Sequence, residues 1–390
     1  MTKPLLLVSE IYPPQSGGSG RWFSEVYPKI SKFQTHCMVQ KHAEQTSYDQ
    51  DYPAQQILRC NLQMQDRAPL SITSAKRYAS IARLVRRNAK ELKATQLHAA
   101  RPLFEGLTTR LVNITLRLPR VCYVHGEDIS VAATSRELRL ATSYALGGRA
   151  TIIANSSFTR KMLTNDWNIN SERIQVIHPG VDTTFFTPTE KCSSTRSELG
   201  WGDKTVVLTV GRLQKRKGHD NFIRALPTIK KSIPEMIYAI VGSGPMEREL
   251  KALAKELDVS DDVKFHGEVS DEDMLKCYQQ CDLFSLPNRA DGADIEGFGM
   301  VSLEAQSCAK PALVGNSGGT PETIAEGKTG FAIDCTQPDL IATKAIELLT
   351  ASNTLSQFGK DARKRAVEQF DWKAIVRQSE QLFRDIEPSR

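Results

Sequence analysis

No apolar run in these 390 residues approaches the length that crosses a bilayer. The opening MTKPLLLVSE has one Lys and a short apolar run stopped by Glu10, so it reads as a strand and not as a signal peptide. A cytoplasmic protein is therefore expected. Zinc-finger and recognition-helix signatures are missing, and a net charge of +6 does not by itself indicate nucleic acid. The eight cysteines are scattered. Only Cys277 and Cys281 lie close together, without a matching second pair, which favours buried free thiols over a metal site or disulfides. The glycine-rich stretch PPQSGGSG has neither G-x-G-x-x-G spacing nor the Lys of a P-loop, and no Asp-x-Asp stands in a phosphate-like position. What is present is ordinary soluble composition in a chain too long for one core, which suits two domains.

The stretch Ala293 to Ala305, ADIEGFGMVSLEA, organises the rest. It follows the apolar run DLFSLP, which reads as a buried parallel strand, and it enters the apolar-periodic MVSLEAQSCA, which reads as a helix. Gly297 and Gly299 at the join let a backbone approach a ligand, and the first helix amides have no intrahelical partner. Free amides and the positive end of the helix dipole favour an anion. Glu296 and Glu304 bracket the site, and carboxylates accept hydrogen bonds from hydroxyls. A sugar-bearing diphosphate satisfies both chemistries. A solvated loop with acids at a helix start is the plainer alternative.

The N-terminal half alternates strands and helices. Strands are expected at Leu5–Glu10, Ala94–Ala100, Val121–Asp128, Thr151–Ser156 and Ile174–Asp182, with a helix over Arg21–Lys32. Gly17 and Gly18 follow the first strand in a ligand-facing loop or a simple turn. Residues 46–69 are polar and carry little pattern. His98 reads as a core residue. His125 stands at a strand end before Gly126, where open parallel sheets present ligand-facing groups. Between Lys76 and Arg120 there are eleven Lys or Arg and only two acids, Glu91 and Glu105. A solvated helical face or a patch for anionic lipid headgroups explains that imbalance. From His178 to Gly202 the chain looks like a linker.

The second half reads as six strands, Val206–Val210, Ile237–Val241, Val263–His266, Leu283–Leu286, Ala312–Val314 and Gly330–Ile333, with helices between them. That is a doubly wound parallel sheet of the α/β class. The first strand runs into Arg212, Lys215, Arg216 and Lys217, and later strand ends carry GSGP and GNSGGTPE.

In this order, PPxxGG, HPGVD, GR-x4-KG, VGSGP, V-x-F-x-G, E-x7-E and GGxPE resemble glycosyltransferase family 4, whose members are retaining enzymes of the GT-B fold. The stretch ADIEGFGMVSLEAQSC also looks like the bacterial mannosyltransferases that build phosphatidylinositol mannosides. The resemblance implies two Rossmann-like domains facing a cleft. Residues 1–183 would form the acceptor side, residues 184–370 the nucleotide-sugar side, and the last helix within 371–390 would cross back onto the first domain. Arg212 and Lys217 would hold the donor diphosphate. Glu296 would bond the sugar hydroxyls and Glu304 the ribose. Backbone amides of Phe298, Gly299 and Met300 would reach sugar and phosphates, and Gly17 and Gly18 would close over the diphosphate. Phe265 to Gly267 would take the nucleobase. His125 would stand near the reacting centre.

The activity so implied is transfer of a hexosyl group, of mannose or glucose type, from a nucleoside diphosphate sugar such as GDP-mannose or a UDP-sugar to an acceptor hydroxyl on a lipid or glycan. No metal cofactor is required on this reading. A GT-B sugar-nucleotide epimerase, a phosphorylase and an inactive sugar-nucleotide-binding protein are the alternatives. The sequence leaves nucleobase, sugar and acceptor open, and peripheral contact with an anionic membrane is an expectation.

Overall fold

A computed structural model of the protein describes residues 3–15, 17–53, 55–64 and 71–386. The chain divides into two compact units, Met1–Pro179 with Trp372–Arg390, and Gly180–Asp371.

The first unit is built on seven parallel strands: β1 (Lys3–Ser9), β2 (Phe33–Gln40), β3 (Ile57–Cys60), β4 (Gln96–Ala99), β5 (Arg120–Val124), β6 (Thr151–Ala154) and β7 (Ile174–Val176). Their spatial order is β3-β2-β1-β4-β5-β6-β7. Helices α1 (Gly18–Val26), α2 (Ile72–Glu91), α3 (Leu107–Leu116) and α4 (Arg136–Leu146) belong to this unit. Central strands such as Leu5–Val8 are wholly buried, as parallel strands covered on both faces require. In α2, Tyr78, Ile81, Val85 and Ala89 recur at helical spacing and fill one core cluster together with Leu107, Val112, Ala141 and Ala145.

Three sequence expectations change here. α1 runs from Gly18 to Val26 and tightens into a 3-10 turn over Tyr27–Lys29, because Pro28 has no N–H to continue the ladder. β2 and β3 were not legible: FQTHCMVQ mixes polar and apolar residues, and the edge strand β3 is only partly buried along its whole length. The patternless stretch contains a helix, Gln45–Asp51, as well as β3, while residues 65–69 lie outside the described residues.

The C-terminal helix (Trp372–Asp385) also packs in this unit. Gln96 Nε2 donates to the Phe383 carbonyl at 2.6 Å, and the Phe383 ring lies 4.4 Å from that of His98. His98 is fully buried, and burial pushes its pKa down to about 3.

The second unit has six parallel strands: β8 (Thr205–Val210), β9 (Met236–Val241), β10 (Val263–Gly267), β11 (Leu283–Leu286), β12 (Ala312–Gly315) and β13 (Gly330–Ile333). They stand in the order β10-β9-β8-β11-β12-β13. All six apolar runs of the sequence therefore form strands. Helix α5 (His219–Ser232) follows β8, and α6 (Met300–Ser307) follows β11. The segment that reads as a linker is packed instead. Val181, Phe186 and Trp201 join the core of this unit, and the Val181 N–H donates to the Phe370 carbonyl at 2.8 Å. Burying each such aromatic side chain contributes about 1.5–3 kcal/mol, enough to hold a polar segment in place.

Candidate functional site

In each sheet the strand order reverses beside its first strand, between β1 and β4 and between β8 and β11. Open parallel sheets take ligands outside the strand ends at such switch points. Four elements converge at the second unit's switch point. Gly218 caps α5 with φ +74°, and a Cβ there would stand 1.7 Å from the Pro287 carbonyl oxygen, so only glycine lets the β8 loop lie against the end of β11. At Gly318 a Cβ would come within 2.0 Å of the Glu296 carbonyl oxygen, and the neighbouring Gly319 N–H donates to that oxygen at 3.0 Å. Asn288 ties β11 to β12, its Nδ2 donating to the Ser317 carbonyl at 2.9 Å.

The charges meet on Glu296. Lys217 Nζ stands 2.6 Å from Glu296 Oε2, and the Arg216 guanidinium donates to the same oxygen. The three side chains are 10–13% exposed. Burial alone would push the Glu296 carboxyl up, but Lys217 and Arg216 outweigh it and hold the pKa below its ordinary value. Glu296 is therefore an anion at neutral pH. Arg212 differs: its side chain is exposed and has no hydrogen-bond or ion-pair partner among the described residues.

Glu304 lies inside α6, buried, and accepts a hydrogen bond from Tyr278 Oη at 2.8 Å. Gly299 is the cap of α6 and Met300 its first residue, so their amides stand at the positive helix end. Phe298 is buried against Phe370, with ring centroids 6.2 Å apart, which leaves its backbone rather than its ring for a ligand. Phe265 is partly buried at the end of β10 with Lys251 Nζ 5.4 Å from its ring centroid, and Gly267 follows with open space at its Cβ position.

In the first unit the switch point is lined by Glu10, after β1, and Arg101, after β4. Arg101 Nη2 stands 2.9 Å from Glu10 Oε2 and 3.4 Å from Glu105 Oε1. Glu105 is fully buried, and burial raises its pKa against the pull of Arg101. His125 ends β5 beside this cluster. Its Nε2 is 3.0 Å from the Ala100 carbonyl, which can only accept, so Nε2 carries the proton and Nδ1 keeps a lone pair. Trp22 and Phe23 wall the ring edge-on at 5.8 and 6.1 Å. Burial lowers the His125 pKa to about 4, the Ala100 bond opposing and Arg101 assisting. The His125 backbone N–H donates to the Asp128 carboxylate, and burial pushes Asp128 up to about 6. Gly17 and Gly18 are exposed at the start of α1. Their loop is anchored from the side: Arg59 donates to the Pro13 carbonyl at 2.8 Å while pairing with Asp49.

Two family models match, one in each half of the chain. A family model described as "Glycosyl transferases group 1" matches residues 193–365, and one described as "Glycosyltransferase Family 4" matches residues 45–185. The chain carries a family 4 and a group 1 glycosyltransferase domain. The group 1 domain contains Arg212, Lys217, Glu296 and Glu304, and the family 4 domain contains His125. The GDP-mannose-dependent α-(1-6)-phosphatidylinositol monomannoside mannosyltransferase of Mycolicibacterium smegmatis is 36% identical over 221 residues, 56% of this chain and 58% of that protein. The protein of the same description from Mycobacterium tuberculosis is 32% identical over 238 residues, 60% of this chain and 62% of that one. The chain thus spans about six-tenths of the length of these curated relatives. Among solved structures, Anabaena HepE in complex with UDP superposes with a TM-score of 0.81 at 19% identity, covering 98% of this chain and all of that one. The glycosyltransferase WaaG, involved in lipopolysaccharide biosynthesis, superposes with a TM-score of 0.70 at 18% identity, covering 97% and 99%. These likenesses show the GT-B fold.

Sequence reasoning named Lys217 but did not single out Arg216 beside it. Lys215, Arg216 and Lys217 are consecutive, and only the 3-10 turn they form turns Lys217 and Arg216 toward Glu296 while Lys215 stays exposed. It also missed Arg101 and Glu10, which are ninety-one residues apart. No helix among the described residues is long and apolar enough to cross a membrane.

Proposed function

We propose that the protein is a retaining glycosyltransferase that moves a hexosyl group from a nucleoside diphosphate sugar to an acceptor hydroxyl. The observation that carries this reading is the buried Lys217–Arg216–Glu296 cluster at the group 1 domain's switch point, beside the α6 N-terminus. A nucleoside diphosphate needs cations and free amides, and a sugar needs an ionised acceptor of hydroxyl hydrogen bonds. The cluster supplies both.

On this reading, cleavage of the bond between the anomeric carbon and phosphate adds negative charge to the leaving diphosphate. Arg212, Lys217 and the first α6 amides stabilise that charge more in the transition state than in the ground state. Glu296 orients the sugar and Glu304 the ribose. In the first unit, the neutral His125 can accept a hydrogen bond from a hydroxyl at Nδ1. The leaving phosphate oxygen takes the acceptor's proton on the same face, and the anomeric configuration is retained. The positive charge comes from protein groups without a metal, so turnover should survive EDTA.

The relatives' descriptions name GDP-mannose and a phosphatidylinositol monomannoside, and HepE binds UDP. A GDP- or UDP-linked hexose donor and a lipid-linked glycan acceptor follow as the reading for this chain. The outer face of α2, α3 and α4 supports a membrane-facing role. Arg83, Arg86, Arg87, Lys90, Arg117 and Arg139 are exposed there, together with Ile114 (62%) and Leu140 (72%). Helix α2 packs on α3 through Arg86 Nε and Thr115 Oγ1, 3.1 Å apart. Each basic group near an anionic surface contributes about 1 kcal/mol. The eight unpaired cysteines suit the reducing cytoplasmic side. Incubation with GDP-mannose, UDP-glucose and a lipid extract tests the proposal. Label appearing in a glycolipid supports it, whereas donor epimerised without an acceptor supports the epimerase instead.

A further inference from the structure

The loop that carries Glu296 is strapped to the β8 loop by a ladder of ion pairs. Lys215 Nζ stands 3.4 Å from Asp291, Arg216 Nε 2.9 Å from Asp294, and Arg289 makes a two-pronged pair with Asp220 at 2.8 Å. The Arg289 N–H also donates to the Arg216 carbonyl at 2.8 Å. Residues 289–296 carry one cation followed by three acids, and residues 215–220 three cations followed by one acid. Arg216 is the middle rung and reaches two acids of the loop, hydrogen-bonded to Glu296 and in ion-pair contact through Nε with Asp294. Asp294 is 43% exposed, whereas Arg216 is 12% exposed, so the guanidinium lies inside the junction with the loop folded over it.

We propose that Arg216 is a positioning residue: it fixes the 289–296 loop and the direction of the Glu296 carboxylate, and thereby sets how the donor's sugar is held. The inference rests on the glycosyltransferase reading for its catalytic consequence, but not for the latch itself. Lys217 stands close enough to neutralise Glu296, yet a single flexible ammonium fixes a distance and not an orientation. A planar guanidinium that hydrogen-bonds Glu296 and is held on its other edge by the charge of Asp294 constrains both. Loss of Arg216 leaves Glu296 ionised through Lys217 but free to swing, so nucleotide affinity survives while the productive sugar pose becomes rarer.

The test uses full-length Arg216→Gln, Asp294→Asn, Glu296→Gln and the Arg216→Gln/Glu296→Gln double variant. Hydrogen exchange reads the latch without any activity. In Arg216→Gln the amides of Asp291, Asp294 and Gly319, bonded within or to this loop, should exchange at least tenfold faster, with core strands unchanged. Calorimetry with GDP and UDP should find affinity within about threefold of wild type. In transfer assays kcat should fall at least tenfold with KM for the donor little changed. The double variant should be no slower than Glu296→Gln alone, because Arg216 acts through Glu296. Asp294→Asn keeps the Glu296 arm and should lose only about two- to threefold. Unchanged exchange in both Arg216→Gln and Asp294→Asn overturns the latch. Multiplied losses in the double variant, or lost GDP and UDP binding, overturn the positioning role. A wild type that shows the exchange pattern and transfers nothing contradicts the proposed function alone. If Arg216→Gln does not fold, Asp294→Asn decides the matter by the same exchange measurement.

Discussion

The two sheets share one order over six strands, the first adding a seventh at its edge, and each closes its switch point with an ion pair, but the signs are reversed. In the first unit the chain leaving β1 gives the carboxylate, Glu10, and the chain leaving β4 gives the cation, Arg101. In the second the chain leaving β8 gives the cations, Arg216 and Lys217, and the chain leaving β11 gives the carboxylate, Glu296. The protonation that follows differs as well. Glu296 is held below its ordinary pKa by two cations, so the second unit keeps fixed charge. Beside the first pair, burial depresses His125 to about 4 and lifts Asp128 to about 6, so that unit keeps a neutral imidazole next to a carboxylate near its midpoint. Strand order dictates where a site forms, and the loop residues dictate its chemistry. Fixed charge suits a diphosphate; neutral groups beside a lone pair suit hydroxyls.

The comparison breaks most readily at the second unit. Lys217→Ala and Arg212→Ala should each lower turnover at least about tenfold, the usual cost of a lost transition-state charge contact. Near-normal rates in both would remove the cationic clamp. On the other side, His125→Ala should cut turnover about tenfold or more while moving Tm far less, since the residue as a whole keeps some exposure and its Nε2 bond is to one carbonyl. A large fall in Tm with activity per folded molecule intact would make His125 a core residue. Glu304→Gln should weaken GDP or UDP binding several-fold by calorimetry, whereas Glu296→Gln should spare it and damage turnover. Equal affinities in wild type and Glu304→Gln would leave the ribose without its partner.

Acid response sharpens the contrast further. His98, His125 and His219 titrate in the fold near 3, 4 and 4, all driven down mainly by burial. The unfolded chain therefore takes up their protons first, and stability falls as pH drops from about 6.5 toward 4. Asp128 acts oppositely. Its folded pKa of about 6 lies above the unfolded value, so between about 6 and 4 the folded form binds the proton and gains stability. Asp128→Asn removes this offset, and its Tm should fall more steeply than that of wild type across that interval. Parallel curves would deny Asp128 its shifted titration. The smallest effect concerns the surface. Changing Arg83, Arg86 and Arg87 together to Gln should weaken salt-sensitive sedimentation with anionic vesicles and leave soluble turnover alone. Equal binding to neutral and anionic vesicles would remove the membrane role.

Legibility followed burial. The four central strands of the second unit are apolar runs that stand out because both faces of the sheet are covered there, while the edge strands β10 and β13 are only partly buried. β3 is half-exposed and β2 mixes Gln, Thr and His with apolar residues, so neither shows a period. The candidate residues of one stretch stand together in the sequence: Glu296, Phe298, Gly299 and Glu304 lie within nine positions. Their partners were not. Arg216 reaches Glu296 across eighty residues, and Arg101 reaches Glu10 across ninety-one. Which of three adjacent cations turns inward depends on the 3-10 turn at Lys215–Lys217, and no periodicity announces a single short turn.

The central claim is that fixed charge in the second unit drives transfer of a sugar with its configuration kept. The most direct test is NMR of the product formed from GDP-mannose or UDP-glucose and a lipid-linked acceptor, with wild type and Lys217→Ala compared at equal donor occupancy. A glycoside with the donor's anomeric configuration is expected, formed at least tenfold more slowly by the variant. An inverted product, or the same rate from both proteins, would contradict it.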